Sequence, residues 1–161
     1  MEITLLGEDD LPFLNEIRNE CSNEFLHDSR TFTLEETKDW FVKTKPYYWL
    51  VKKDNEKIGY FRCSNYSEIN KNIYIGADIH NNHRGKGFGY EMYKTFIPKV
   101  FKELGLHKIS LEVLSTNERA IYLYKKLGFV VEGVKREEVL KNKVWVDSII
   151  MSILRSEYES L

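Results

Sequence analysis

The chain has 161 residues, of which 42% are apolar and 30% charged, and its net charge is −1. That balance suits a single globular domain over residues 1–161, long enough to bury a sizeable core, and the lack of net positive charge argues against a nucleic-acid binder. No apolar run approaches the roughly 20 residues of a membrane span, and the start Met1-Glu2-Ile3-Thr4 has neither the basic nor the apolar stretch of a signal peptide, so no membrane contact and a cytoplasmic location are expected.

Glu2 to Leu6 is a short β-prone opening. Asp9-Asp10-Leu11-Pro12 has the acidic residues and proline of a helix start, with Leu11, Leu14, Ile17 and Arg18 at helical spacing behind it. The stretch from Asn19 to Phe32 is polar and irregular, with Phe25 and Leu26 as its anchors. Thr33-Leu34-Glu35-Glu36 is a capping box opening a helix that carries Trp40 and Phe41 and ends at Pro46. Tyr47–Lys53 and Lys57–Cys63 are strands around the turn Asp54-Asn55-Glu56, which lacks the preferred glycine. After a polar loop, Asn72–His80 is a third strand of this group. A helix from Tyr90 to Leu104 contains Pro98, where a kink or a lost backbone bond is expected. His107–Leu114 reads as a strand, Ser115-x-x-Glu118 as a second capping box, and Ala120, Leu123, Tyr124 and Leu127 as one face of a helix stopped by Gly128. Phe129–Leu140 and Val144–Leu154 close the chain as a hairpin around Lys141-Asn142-Lys143. The order β-α-α-β-β-β-α-β-α-β-β predicts an α/β fold of the α+β type, a single mixed sheet with helices on its faces.

Between the third strand of the central group and the long helix lies His83-Arg84-Gly85-Lys86-Gly87-Phe88-Gly89. Three glycines in five residues free the backbone to turn sharply and let N–H groups converge. A helix N-terminus adds positive potential at the same place, reinforced by Arg84 and Lys86, so the junction is an anion cradle. It is not a mononucleotide P-loop, because Gly85-Lys86 is followed by Gly87 and not by a hydroxyl residue. The spacing Gly85-x-Gly87-x-Gly89 also departs from the dinucleotide fingerprint. Charge is unevenly distributed along the chain. Residues 1–46 hold 11 acidic and 5 basic side chains, a net of −6, and residues 83–143 hold 7 acidic and 13 basic, a net of +6, which fits an anionic cofactor on one side and a cationic acceptor on the other.

Arg84-x-x-Gly87-x-Gly89 resembles the acetyl-CoA pyrophosphate loop of the GNAT family of N-acetyltransferases. Asn117-x-x-Ala120-x-x-x-Tyr124-x-x-x-Gly128-Phe129 is similar to the family's pattern on the helix after the fifth sheet strand, at a fitting distance. Glu132-Gly133-Val134-Lys135-Arg136 followed by Trp145-Val146-Asp147 looks like the branch of ribosomal-protein-alanine, polyamine and amino-sugar acetyltransferases. The resemblance covers nearly the whole chain. It implies the GNAT fold, with a mostly antiparallel sheet of about 7 strands and about 4 helices, and with splayed central strands between which pantetheine lies like an extra strand.

By that resemblance, acetyl-CoA is the co-substrate and no metal takes part. Ile79 would offer its backbone N–H to the acetyl carbonyl, Ile79 and Asn81 would end the strand that splays, and the N–H groups of Arg84, Gly85, Lys86, Gly87, Phe88 and Gly89 would hold the pyrophosphate. Asn117 would bond the pantetheine arm or cap its helix. Tyr124 would donate a proton to the departing thiolate. With reference pKa values of about 10 for Tyr and about 8.5 for a thiol, positioning has to supply much of that benefit. An amine must be neutral to attack, so a base is sought among Asp78, Glu112, Glu68, His80 and His83. Alternation along the strand puts Tyr74, Gly76, Asp78 and His80 on one face. Cys21 and Cys63 share no metal-ligand spacing with each other or with the four histidines, so they read as reduced structural thiols. Acceptor recognition is expected from Asn19–Phe32, the second helix and the Gly133–Lys143 hairpin. Ile17-Arg18-Asn19, Phe25-Leu26 and Thr33-Leu34-Glu35-Glu36 look like the nucleotide-sugar amine acetyltransferases. The expected acceptor is therefore a small-molecule primary amine, an amino sugar or nucleotide sugar, with a peptide N-terminus or a polyamine as the alternative. A non-catalytic acyl-CoA-binding domain is the rival of another class. Trp145 on the terminal hairpin offers the edge of a homodimer.

Overall fold

The computed structural model describes residues 1–161. One seven-stranded sheet has the order β1-β2-β3-β4-β5-β7-β6, built from β1 (Glu2–Leu5), β2 (Tyr47–Lys53), β3 (Glu56–Ser67), β4 (Asn72–Ile79), β5 (Lys108–Leu114), β6 (Val130–Lys141) and β7 (Val144–Leu154). Every neighbouring pair is antiparallel except β4 with β5. The helices are α1 (Leu11–Cys21), α2 (Leu34–Thr44), α3 (Phe88–Leu104), α4 (Glu118–Lys126) and a short terminal α5 (Arg155–Glu159), which the sequence reading did not include.

Strand alternation divides the sheet between two cores. Trp49, Val51, Phe61, Ile73 and Ile75 pack with Phe96, Ile97 and Val100 of α3, where the Phe61 and Phe96 rings stack at 4.0 Å. Leu50 and Tyr60, from intervening positions, pack with Leu11, Leu14 and Ile17 of α1. The capping box of α2 forms as expected: Thr33 Oγ1 accepts from the Glu36 N–H at 3.1 Å, and Glu36 Oε2 accepts from the Thr33 N–H at 2.8 Å. The second expected box does not form. α4 is capped by Asn117, whose Oδ1 accepts from the Ala120 N–H at 3.2 Å. Ser115 instead continues the sheet edge, its N–H bonding Asp147 O at 2.9 Å.

Two hairpins turn without glycine. Asp54 and Asn55 take φ of 51° and 65°, and Asn142 and Lys143 take 47° and 65°, the double left-handed geometry that matches strand twist in a two-residue turn. The polar stretch after Cys63 is strand as far as Ser67, with an irregularity where Asn65 has φ 51°. Pro98 sits inside α3 without ending it.

The feature that positions the site is the single parallel pairing. β4 and β5 are paired over Asn72–Tyr74 and Lys108–Ser110 only. Beyond that, β4 follows β3 up to Ile79 while β5 follows β7 up to Leu114, and the two strands diverge as the splay expected from the sequence.

Candidate active site

The gap between the splayed strands is lined with backbone groups. The His80 N–H bonds Ile58 O at 2.9 Å, so His80 and Ile58 form a hydrogen-bonded antiparallel pair. The next pair, Ile79 with Gly59, therefore turns its N–H groups outward. For Ile79, and for Ala77 two residues before it, outward is into the gap. Ile79 O accepts from Arg84 Nε at 2.9 Å, and Arg84 Nη2 lies 3.0 Å from Cys21 Sγ and 3.6 Å from Glu20, tying the glycine loop to β4 and α1.

The glycine loop continues this edge. Gly85 and Gly87 have φ of 75° and 80°, which side chains with a Cβ rarely adopt. Gly87 stands at the N-cap of the 17-residue α3, and no side chain caps that end. The first-turn N–H groups of α3 thus face outward at the positive end of a long helix dipole. Ile79, Arg84, Gly85, Gly87, Phe88, Gly89 and Asn117 line one groove of about 340 Å³, together with Asp78, Tyr93 and Tyr124. Asn81 and Lys86 are exposed and do not line it. The 3₁₀ turn Asn81–His83 and the loop apex point these two side chains away from the groove, so any contact of theirs with the cofactor would come through the backbone.

Tyr124 is buried at the floor of the groove, and Tyr93 Oη donates to its Oη at 3.3 Å. Burial raises the Tyr124 pKa above the ordinary phenol value, with the Tyr93 hydrogen bond pulling slightly the other way. The side chain is therefore a neutral O–H at pH 7, as a proton donor requires. Asn117 caps α4 and also lines the groove. Cys21 faces the same groove, but burial, reinforced by Asp78, pushes its thiol up to about 12, and it stays a protonated, poor nucleophile. Cys63 is also pushed up to about 12 by burial.

A second, larger cavity of about 770 Å³ lies against the other face of β3 and β4. α1, α2 and the segment between them wall it, together with Tyr48, Tyr60, Arg62, Gly76 and Glu112. That segment, read as irregular in sequence, is tied down from both ends. Asn15 and Asn19 Nδ2 both donate to Phe32 O at 2.8 Å, and Lys141 Nζ from the terminal hairpin donates to Ser22 O at 2.6 Å.

The base candidates are largely committed elsewhere. Asp78 has 4% side-chain exposure and pairs with Arg62, Oδ2 lying 2.9 Å from Nε. The two atoms are out of line for a hydrogen bond, and the contact is best described as an ion pair. Glu112 does face the cavity, but Oε1 accepts from Lys135 Nζ at 2.7 Å and Oε2 from Ser148 Oγ at 3.1 Å. Burial works to raise its pKa, yet these two donors outweigh burial and hold it below the usual carboxylate value. His80 Nε2 lies 3.2 Å from Glu16, and His83 is 3.9 Å from Glu56. Glu68 is exposed in the turn before Asn72, at the closed end of the β4–β5 pair, and takes no part.

Sequence reasoning missed Tyr93, Arg62 and His27. Tyr93 lies one helical turn after Gly89, and Arg62 is a lone cation inside an apolar strand. His27 Nε2 sits 2.7 Å from Ser148 Oγ and 3.6 Å from Glu112 in the larger cavity. Burial lowers its pKa against the pull of Glu112. The fold also brings Glu16, Glu20 and His80 together, with ligand atoms within 4.8 Å of one another, a grouping that spacing along the chain does not reveal.

Residues 11–129 match the acetyltransferase (GNAT) family. The chain belongs to that family. The acetyltransferase is 32% identical to a spermidine N(1)-acetyltransferase of Vibrio cholerae, over 98% of this chain and 95% of the relative. It is 27% identical to the spermidine N(1)-acetyltransferase of Escherichia coli K12, over 95% and 85%. The crystal structure of the Vibrio cholerae spermidine N-acetyltransferase in complex with CoA and spermine superposes with a TM-score of 0.91 at 26% identity, covering 98% of this chain and 97% of that one. This protein is thus an N-acetyltransferase with acetyl-CoA as donor, which sets aside the non-catalytic reading. The acetyltransferase has no helix long and apolar enough to cross a membrane.

Proposed function

We propose that the acetyltransferase moves an acetyl group to the primary amine of a small molecule by direct attack, with Tyr124 as the proton donor to the departing thiolate. The observation that carries this reading is the placement of a buried, neutral Tyr124 hydroxyl in the same groove as the glycine loop and the outward edge of β4. The residues fit acetyl-CoA. Gly85 to Gly89 and the uncapped α3 N-terminus suit a pyrophosphate, the Ile79 N–H suits the acetyl carbonyl as an oxyanion donor, and Asn117 Nδ2 is free of other hydrogen bonds for the pantetheine arm. A covalent route through Cys21 is disfavoured by its raised pKa.

The larger cavity is the proposed acceptor site, reaching β4 from the other side. The relatives named for spermidine favour a small amine over a peptide N-terminus. Amine deprotonation by Asp78 or Glu112 requires each to be released from its present cation. A homodimer through the terminal hairpin is supported by the apolar side chains left in solvent there, Val134, Leu140, Val144 and Trp145, and sedimentation velocity tests it. The test of the function is coenzyme A release from acetyl-CoA across a panel of small amines and peptides. Small-amine turnover is the expected result, and turnover of peptide N-termini alone would overturn the reading.

A further inference from the structure

The floor of the larger cavity holds a cation in an unusual setting. The Arg62 guanidinium lies directly over Gly76 of the neighbouring strand, so that a Cβ at Gly76 would stand 2.6 Å from Nη2 and 2.9 Å from Cζ. A side chain there would displace the guanidinium, and glycine leaves room for it. The pair with Asp78 is lopsided: the carboxylate side chain is 4% exposed while the arginine side chain is 37% exposed. Nη2 reaches Asp78 Oδ1 only at 3.4 Å, Nε is out of line for a hydrogen bond, and Nη1 has no protein partner. An arginine serving only to neutralise Asp78 would be expected to satisfy its donors on that carboxylate. Here the buried acid sits behind with Nε, while Nη1 and the second N–H of Nη2 are left without a protein partner.

The carboxylates of the cavity show the opposite pattern. Both oxygens of Asp28 are bonded by Arg30, Oε2 of Glu36 is held by the Thr33 N–H, and both oxygens of Glu112 are bonded by Lys135 and Ser148. A polyammonium acceptor needs several free carboxylates, and here Glu36 alone, through Oε1, is without a cationic partner. An acceptor bearing an oxyanion needs a free guanidinium fork, which binds carboxylate or phosphate in bidentate fashion.

We propose that the acceptor of this enzyme is an amine that also carries an oxyanion, a carboxylate or a phosphate, docked on the Arg62 guanidinium that the absence of a side chain at Gly76 lets lie on the cavity floor. The proposal rests on the acetyl-transfer reading above and names the substrate class of its acceptor site. Such a contact, made to a charged group, is expected to favour the anionic acceptor by roughly 10- to 100-fold in kcat/KM.

The test uses matched pairs that differ only in the anion: glucosamine 1-phosphate against glucosamine, an α-amino acid against its amide, and a nucleotide amino sugar against the free amino sugar, with spermidine and spermine alongside. Coenzyme A release is followed for each. The pairs distinguish phosphate from carboxylate, and turnover of any amine sustains the transferase reading whatever the pairs show. The expected result is at least one pair separated by about tenfold or more in favour of the anion, with that ratio falling to near unity in Arg62→Met. Because Arg62→Met strands a buried Asp78 and can fail to fold, Gly76→Ala is the second variant. It keeps both charges and shifts only the guanidinium, and it is expected to lower the same ratio. Polyamine preference, equal rates within every pair, or a ratio indifferent to both variants would overturn the proposal.

Discussion

Replacing Tyr124 by Phe removes one oxygen from the floor of the cofactor groove and isolates its role from the rest of the fold. General acid catalysis contributes about 10²–10⁴-fold. The lower end is expected here, because a thiolate of pKa about 8.5 leaves with less assistance than an alkoxide and the donor is a phenol raised above about 10. A fall of about 10² in kcat corresponds to about 2.7 kcal/mol of barrier. Coenzyme A affinity should hold, since the loop and the β4 edge are untouched. The variant also has a structural cost: the hydroxyl of Tyr93, 2% exposed, loses its 3.3 Å partner, and an orphaned buried hydroxyl costs roughly 1–2 kcal/mol. The double variant Tyr93→Phe/Tyr124→Phe removes that orphan and should recover stability without recovering rate. The assays are thiol release under saturating substrates, calorimetric titration with coenzyme A, and thermal unfolding. A Tyr124→Phe kcat within about threefold of the parent would refute the acid role, as would a double variant whose rate returns with its stability. The pH profile gives a further check. The active form of Tyr124 is the protonated one, so its contribution is complete below its pKa and lost as pH rises through it. Burial moves that loss above the ordinary phenol range, and kcat should show no alkaline limb attributable to Tyr124 below about pH 10.

Gly87→Ala places a methyl where no protein atom lies within 4 Å, but at φ 80° it strains the backbone by about 1–2 kcal/mol. Coenzyme A binding should weaken by about tenfold or more in calorimetry, well beyond any change in the Tyr124 environment. Cys21, with its thiol pushed up to about 12, should resist iodoacetamide at pH 8 in the native protein and react only on unfolding; rapid native labelling with loss of activity would contradict its inert role. Thr33→Ala removes the hydroxyl half of the α2 capping box, the bond from the Glu36 N–H, and keeps the backbone half to Glu36 Oε2; it should cost about 1 kcal/mol in urea unfolding. Because α2 walls the larger cavity, KM for the amine should rise more than KM for acetyl-CoA.

Local chemistry was legible in the chain, and cross-strand chemistry was not. The glycine loop, the α2 capping box and the Tyr124 face depend on residues within one or two turns of each other, so spacing alone locates them. Asp78 was assigned to the correct face by alternation, yet its partner Arg62 comes from β3, and the contact exists only because the register sets Tyr60 opposite Asp78 and Arg62 opposite Gly76. Choosing Ser115 over Asn117 as the α4 cap had a different cause: both residue types cap well, and the sheet bond from the Ser115 N–H to Asp147 decides between them. The outward direction of the Asn81 and Lys86 side chains was not legible, because spacing shows which residues form the loop and not which way its side chains turn.

One strand therefore borders both the proposed cofactor groove and the proposed acceptor cavity, and it does so through its periodicity. Along β4, alternation aims the N–H groups of Ala77 and Ile79 into the gap where β5 has departed, while the side-chain positions of Tyr74 and Gly76 line the opposite cavity. In the proposed arrangement the N–H groups of Ala77 and Ile79 face the cofactor, and the positions of Tyr74 and Gly76 face the acceptor. The arrangement requires that β5 pair with β4 long enough to fix the sheet and then leave, and the three-residue parallel register does that. Extending the pairing to Ala77 and Ile79 would consume the outward N–H groups in ladder bonds and close the gap. The truncated β4–β5 register is thus the structural condition for the site, and the glycine loop completes it by starting α3 where that gap opens.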